Sequence, residues 1–175
     1  ALATVETDRL AQLFSRNPDE MIRKLSRYAK LDFDLIGDYE HRWDWGVSGL
    51  SRNSGLPWSE ALIESYEDRW DWGFRGLSWN SGLPWTEALI EKFEDRWGWY
   101  FLSRNSGLPW SEALIERYEH RWDWGKGGLS GSSGILWSVS LLEKFEYKID
   151  WDHLNLSDLI GMLSSTQIRQ IMDVI

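Results

Sequence analysis

The chain repeats itself, and no other feature of the sequence constrains its fold as tightly. LSRNSGLPWSEALIESYEDRWDWGFRG fills residues 50–76, LSWNSGLPWTEALIEKFEDRWGWYF follows from Leu77, and LSRNSGLPWSEALIERYEHRWDWGKGG from Leu102. A fourth, eroded copy, LSGSSGILWSVSLLEKFEYKID, begins at Leu129. The starts lie 27, 25 and 27 residues apart, and the short interval falls just after the WDW motif, where Tyr100-Phe101 replace the longer Phe74-Arg75-Gly76. A unit this small cannot bury an apolar face alone, so neighbouring copies must stack to make a core, and atypical end copies must close it.

The edges decay accordingly. Upstream, FSRN at 14–17 matches LSRN, and LDFDLIGDYEHRWDW at 31–45 matches the second half of a unit. On that alignment the first copy carries an insertion of about nine residues, within which 23–30 is non-repeated. Downstream, Trp151-Asp152-His153-Leu154 resembles the end of one unit entering another, and the tail from Ser157 abandons the motif. The expected organisation is an N-terminal cap with a degenerate first repeat (1–49), tandem Trp-rich repeats (50–76, 77–101, 102–128 and 129–153), and a C-terminal helical cap (154–175).

Within a unit, Trp58, Leu62, Tyr66 and Trp70 recur at steps of four, which predicts one helical face over 58–70. Pro57 suits the first turn of such a helix, and Ser59 is an alternative N-cap. Glu60, Glu64, Glu67 and Asp68 make the opposite face an acidic stripe open to water. Asp71 is placed to cap a second, shorter helix carrying Trp72 and Leu77, with Gly98 in its slot in one copy. Asn53-Ser54-Gly55 reads as a turn in which Asn and Gly accept positive φ. In the tail, Ile168, Ile171, Met172 and Ile175 form an apolar stripe, and Ser164 with Gln167 fits a capping box. The tail is expected to pack over the last unit; a docking helix for a partner is the sharper alternative. The predicted class is therefore all-α: helix–turn–short-helix repeats stacked as a small α-solenoid with divergent end caps.

The unit resembles a Trp-rich repeat of uncharacterised bacterial and giant-virus proteins that carry a WDWxxLSxN signature. Residues 97–105 fit that spacing with Gly98 for Asp, whereas the copies at Trp43, Trp70 and Trp122 hold two extra residues. The likeness covers most of 14–156. It implies a helical repeat and brings no activity or site residues with it.

Composition narrows the function. The 14 tryptophans far exceed the 6 Tyr and 6 Phe, and at repeat-invariant slots they are read as core. A net charge of −9 disfavours phosphate backbones and anionic lipid. The absence of Cys excludes disulfides, thiolate catalysis and Cys-ligated zinc, and suits a reducing, cytoplasmic setting. No apolar run reaches about 18 residues, and the opening ALATVETDRL lacks the basic flank and apolar stretch of a signal peptide.

Residues copied in register belong to the repeat; a catalytic constellation should be unique. Most carboxylates recur. His41 and His120 fill the slot of Asp68 and Asp95 and read as surface substitutions, not a metal pair. No nucleophile elbow or phosphate loop is present. Arg42, Arg69, Arg96 and Arg121 each precede a Trp, and their expected role is structural, stacked on indole or paired with an acid of the adjacent copy. The expectation is thus no catalytic residue, no metal and no cofactor. A non-repeated polar cleft, were one present, would belong at 23–30 or in the tail.

Trp79 breaks register, standing where Arg52 and Arg104 stand in a turn otherwise polar. With Phe74, Arg75, Tyr100 and Phe101 it is expected to form a partner-binding patch on the variable edge between units. The function read from these features is a non-enzymatic scaffold for protein–protein interaction, one part of a larger protein or complex, with self-association open through exposed repeat ends. The alternatives are a glycan or single-stranded nucleic acid module using exposed Trp, and an acidic inhibitor or immunity-type protein of a basic enzyme.

Overall fold

A computed structural model describes residues 4–175. Among them the chain is all-helical, with ten short α-helices, three 3₁₀ turns and no strand. It divides into two compact units, 1–98 and 99–175. The division falls beside Gly98, in the copy that lacks two residues.

The first unit opens with α1 (Thr4–Phe14) and α2 (Pro18–Tyr28), followed by α3 (Phe33–Asp38), α4 (Glu60–Ser65) and α5 (Glu87–Lys92), with 3₁₀ turns at Leu50–Arg52 and Leu77–Trp79. The second holds α6 (Trp99–Leu102), α7 (Glu112–Arg117), α8 (Val139–Phe145), a 3₁₀ turn at Trp151–His153, α9 (Ser157–Gly161) and α10 (Ser165–Met172). The helix expected over 58–70 is much shorter. Ser59, not Pro57, starts it, its hydroxyl accepting the Leu62 amide at 3.1 Å, and the helix stops before Tyr66. Asp32, Thr86, Ser111 and Ser138 cap their helices in the same way. Both helices of the repeat are thus one or two turns long, and isolated helices of that length do not persist in water.

Tryptophan replaces the missing helical hydrogen bonds. The first indole of each WDW reaches back seven residues to a carbonyl: Trp70 donates to Ile63, Trp97 to Ile90 and Trp122 to Ile115, at 3.0–3.1 Å. The second reaches back five, Trp72 to Glu67 and Trp124 to Glu119. Trp58, Trp85 and Trp110 donate to the carbonyls of Asn53, Asn80 and Asn105. These carbonyls lie at helix and turn ends, where the backbone alone leaves acceptors open. Each indole also fills the core. Trp70 lies 4.7 Å from Trp45 of the preceding copy and 5.0 Å from Trp58 of its own; Trp122 repeats this with Trp99 and Trp110. Leu50, Leu77, Leu102 and Leu129 are fully buried alongside.

A buried serine joins successive copies. Ser51 donates to the carbonyl of Trp45 in the preceding copy and accepts from the Asp71 amide of its own at 2.9 Å. Ser78 does the same with Trp72 and Gly98, and Ser130 with Trp124 and Asp150. In the first copy this role falls to Ser26, which donates to Ile22 and accepts from Asp44. The motif there is Leu25-Ser26-Arg27, not the FSRN at 14–17. It begins 25 residues before Leu50, so no nine-residue insertion exists.

Asp71 caps no second helix; its carboxylate closes a turn on the Gly73 amide, and Leu77–Trp79 starts without a side-chain cap. Nor does Asn53 take positive φ: it sits at −78°, and no glycine among the described residues is positive either. Its amide is needed instead for reach, donating to the carbonyls of Ser26 and Ala29 at 2.9 Å. Gly76 is required by close approach, since a Cβ there would lie 2.0 Å from the Asp71 carbonyl oxygen. The acidic stripe is half exposed but paired: Lys92 bridges Glu60 and Glu64, Arg96 bridges Glu67 and Asp68, and Lys144 bridges Glu112 and Glu116.

The capping box at Ser164 and Gln167 is present. Against the expectation of a tail packed over the last copy, α10 buries no residue, and Ile168, Ile171 and Met172 are all exposed. The approach to it docks through the Asn155 amide on the Ser130 carbonyl at 2.8 Å. No helix among the described residues is long and apolar enough to cross a membrane.

Candidate functional site

The repeat consumes nearly every group it copies. Arg69, Arg96 and Arg121 lie 5.6, 5.9 and 5.3 Å from the ring centroids of Trp45, Trp72 and Trp99, as a structural role requires. His41 is exposed beside the Arg69 guanidinium, and His153 contacts Asp150. Among the described residues no three His, Asp or Glu side chains converge on a metal-sized site.

Departures from the repeat are left over as candidates. In the first unit Phe74 and Trp79 meet edge to face, with centroids 6.3 Å apart and planes at 88°. Phe74 is 53% and Trp79 39% exposed, whereas Trp70, Trp72, Trp85 and Trp97 are buried. The Arg75 guanidinium lies over the Phe74 ring at 4.9 Å. The structure therefore brings Phe74, Arg75 and Trp79 together. In the second unit Tyr100 and Phe101 form their own edge-to-face pair at 5.1 Å, Tyr100 being 53% exposed. The sequence groups all five; the structure gives a cluster of three within the first unit and a pair within the second.

A second assembly lies at 23–30, one of the two places the sequence offers for a non-repeated polar cleft, although its arginine partners escape the sequence reading. A cleft of about 320 Å³ in the first unit is lined by Glu20, Arg23, Lys24 and Arg27 of α2 and by Arg52 and Arg75, with Tyr28, Val47 and Ser48 completing it. Glu20 bridges Arg23 at 2.7 Å and Lys24 at 3.2 Å. Arg27 spends one donor on the Arg52 carbonyl at 2.5 Å. Burial first, then the Arg52 charge, push the Arg27 guanidinium below its ordinary pKa. Aligning Leu25-Ser26-Arg27 with Leu50-Ser51-Arg52 would have put these arginines in one column of the repeat. Placing the first copy at Phe14 hid the match.

Neither a protein-family model, nor a curated protein, nor a solved structure matches the chain.

Proposed function

We propose that the chain is a non-enzymatic repeat scaffold, its copies stacked as a small α-solenoid, that binds a protein partner through the exposed aromatic cluster at its variable columns. The stacking is supported by the serine relay and the indole sandwich, which recur in the same register within each unit. The binding reading rests on one observation above the others: Phe74 and Trp79 remain exposed in a unit whose Trp45, Trp70, Trp72, Trp85 and Trp97 are buried. Aromatic residues beside an arginine are the usual anchors of protein interfaces. Tyr100 and Phe101 extend the reading to the second unit.

The test is affinity capture from host lysate with the wild-type chain, Trp79→Ala, Phe74→Ala and, as a control at an exposed ring elsewhere, Tyr147→Ala. A stoichiometric protein retained by wild type and Tyr147→Ala but lost by the other two, at unchanged thermal stability, supports the reading. A partner retained by all four places the contact elsewhere. If no protein is retained, and glycan or single-stranded nucleic acid quenches the tryptophan emission, the ligand-binding alternative replaces it. For an acidic inhibitor of a basic enzyme, affinity falls as salt rises.

A further inference from the structure

We propose that the cleft between α2 and the Arg52 and Arg75 turns binds a compact phosphate-class oxyanion. In a chain of net charge −9, five cations and one carboxylate line this single cleft. Glu20 accounts for Arg23 and Lys24. Among the described residues no carboxylate lies within ion-pair distance of Arg27, Arg52 or Arg75. Elsewhere the same fold pairs its cations across copies readily, as Lys92, Arg96 and Lys144 show. Like charges held together without a counter-ion oppose folding unless something offsets them.

The backbone supplies an independent observation. Arg75 has φ of 59°, the only non-glycine residue among those described in the left-handed region. Its column holds Ser48 in the first copy and Gly127 in a later one, and neither enters that region, although glycine would do so freely. The strain is therefore particular to Arg75 and is not imposed by the turn. It leaves the guanidinium on the Phe74 ring and on the wall of the cleft. A strained residue of this kind is characteristic of a ligand-holding position.

The chemistry follows from the donors. Guanidinium groups present planar forks that match phosphate or carboxylate oxygens two at a time. Three such forks, not matched by acids, suit a dianion better than a single carboxylate. The cleft lies at the small end of ligand-site volumes, about 300–1,000 Å³, and the surrounding acidic surface opposes a long polyanion. The shared chemistry is a phosphate monoester, carried by a small metabolite or by a phosphorylated side chain of a partner. The proposal does not depend on the aromatic cluster being an interface.

Calorimetric titration of the full chain with inorganic phosphate, pyrophosphate and O-phosphoserine tests it, alongside melting in phosphate against chloride at matched ionic strength. Wild type should bind and melt higher in phosphate, because a ligand held only by the folded state stabilises it. Arg75→Gly, which fits positive φ without strain, should melt no lower than wild type in chloride. Both it and Arg52→Gln should bind about tenfold more weakly or worse, as expected for losing a hydrogen bond to a charged group. Preference for O-phosphoserine would point to a modified partner, and preference for pyrophosphate to a small metabolite. Absence of binding by wild type, equal binding by both variants, or tighter binding of oligo-dT than of any phosphate would overturn the proposal.

Discussion

At the scale of single residues, the indole is needed for its N–H as much as for its area. Trp70→Phe keeps an aromatic ring between Trp45 and Trp58 but leaves the Ile63 carbonyl open in a buried setting. A buried acceptor without a partner costs about 1–3 kcal/mol, before any loss of packing. Chemical denaturation should show that loss for Trp70→Phe and almost none for Trp79→Phe, whose ring is 39% exposed. An equal effect at both sites would mean that area alone is being measured. The natural contrast is Trp137, whose indole nitrogen is buried without a partner in the eroded copy. There Ile135-Leu136 replace the Leu-Pro of the other units and Ser132 replaces Asn. Gly76 is the second residue-scale case. Gly76→Ala would drive a Cβ to 2.0 Å from a backbone oxygen, and the turn must open or the Leu77–Asp71 hydrogen bond must break. A clear fall in midpoint is expected, with none for Gly161→Ala, where nothing lies within 4 Å.

At the scale of elements, a two-residue deletion shows how little the relay depends on the loop that carries it. In three copies the serine reaches a Trp carbonyl six residues back, through a turn closed by glycine. For the copy beginning at Leu102 the deletion leaves four, and the chain makes one turn of α6 instead; Ser103 still donates to Trp99 at 2.6 Å and accepts from Asp123 at 2.9 Å. The serine is therefore the fixed point. Ser51→Ala should cost about 1–3 kcal/mol, because it orphans both the Trp45 carbonyl and the Asp71 amide. Ser65→Ala, on an exposed helix face, should cost little. This also explains what the sequence disclosed. Period, caps, paired arginines and the aromatic core were legible, because each is a copied residue type with a local reason. Helix length was not. Steps of four from Trp58 to Trp70 continue past the point where the chain leaves the helix, since indole donors satisfy carbonyls that a longer helix would have used. The place of the arginine cleft was legible, since 23–30 was one of the two stretches open to a polar cleft. Its partners were not, because it joins α2 to turns of the next copy, and only the register of Leu25-Ser26-Arg27 puts Arg27 and Arg52 in one column.

At the scale of the whole molecule, charge sets the conditions under which the copies hold together. The cations that bridge copies face solvent, so each pair alone contributes little, and their worth lies in number and register. Glu119 gives the pH dependence a sign. Hydrogen bonds from Tyr147 at 2.5 Å and from Lys148, foremost among its influences, hold its carboxyl below the ordinary 4.5. A group with a depressed folded pKa contributes stability above its unfolded value and loses it as pH falls through the folded one. Lys144, raised above 10.5 mainly by Glu116 and also by Glu112, behaves oppositely: its contribution is present below 10.5 and disappears as pH rises through the higher folded value. Stability should therefore plateau across neutral pH and fall at both ends. The decisive comparison is Glu119→Gln, melted beside wild type from neutral to strongly acid pH. The variant should melt lower at pH 7, and the two curves should converge as the medium falls well below 4.5, where the wild-type carboxyl is also protonated. Molar salt should narrow the gap at pH 7, because these charges face solvent. If the gap persists unchanged in strong acid, the contribution of Glu119 is steric, and ion pairing across copies is not what makes the molecule acid-sensitive.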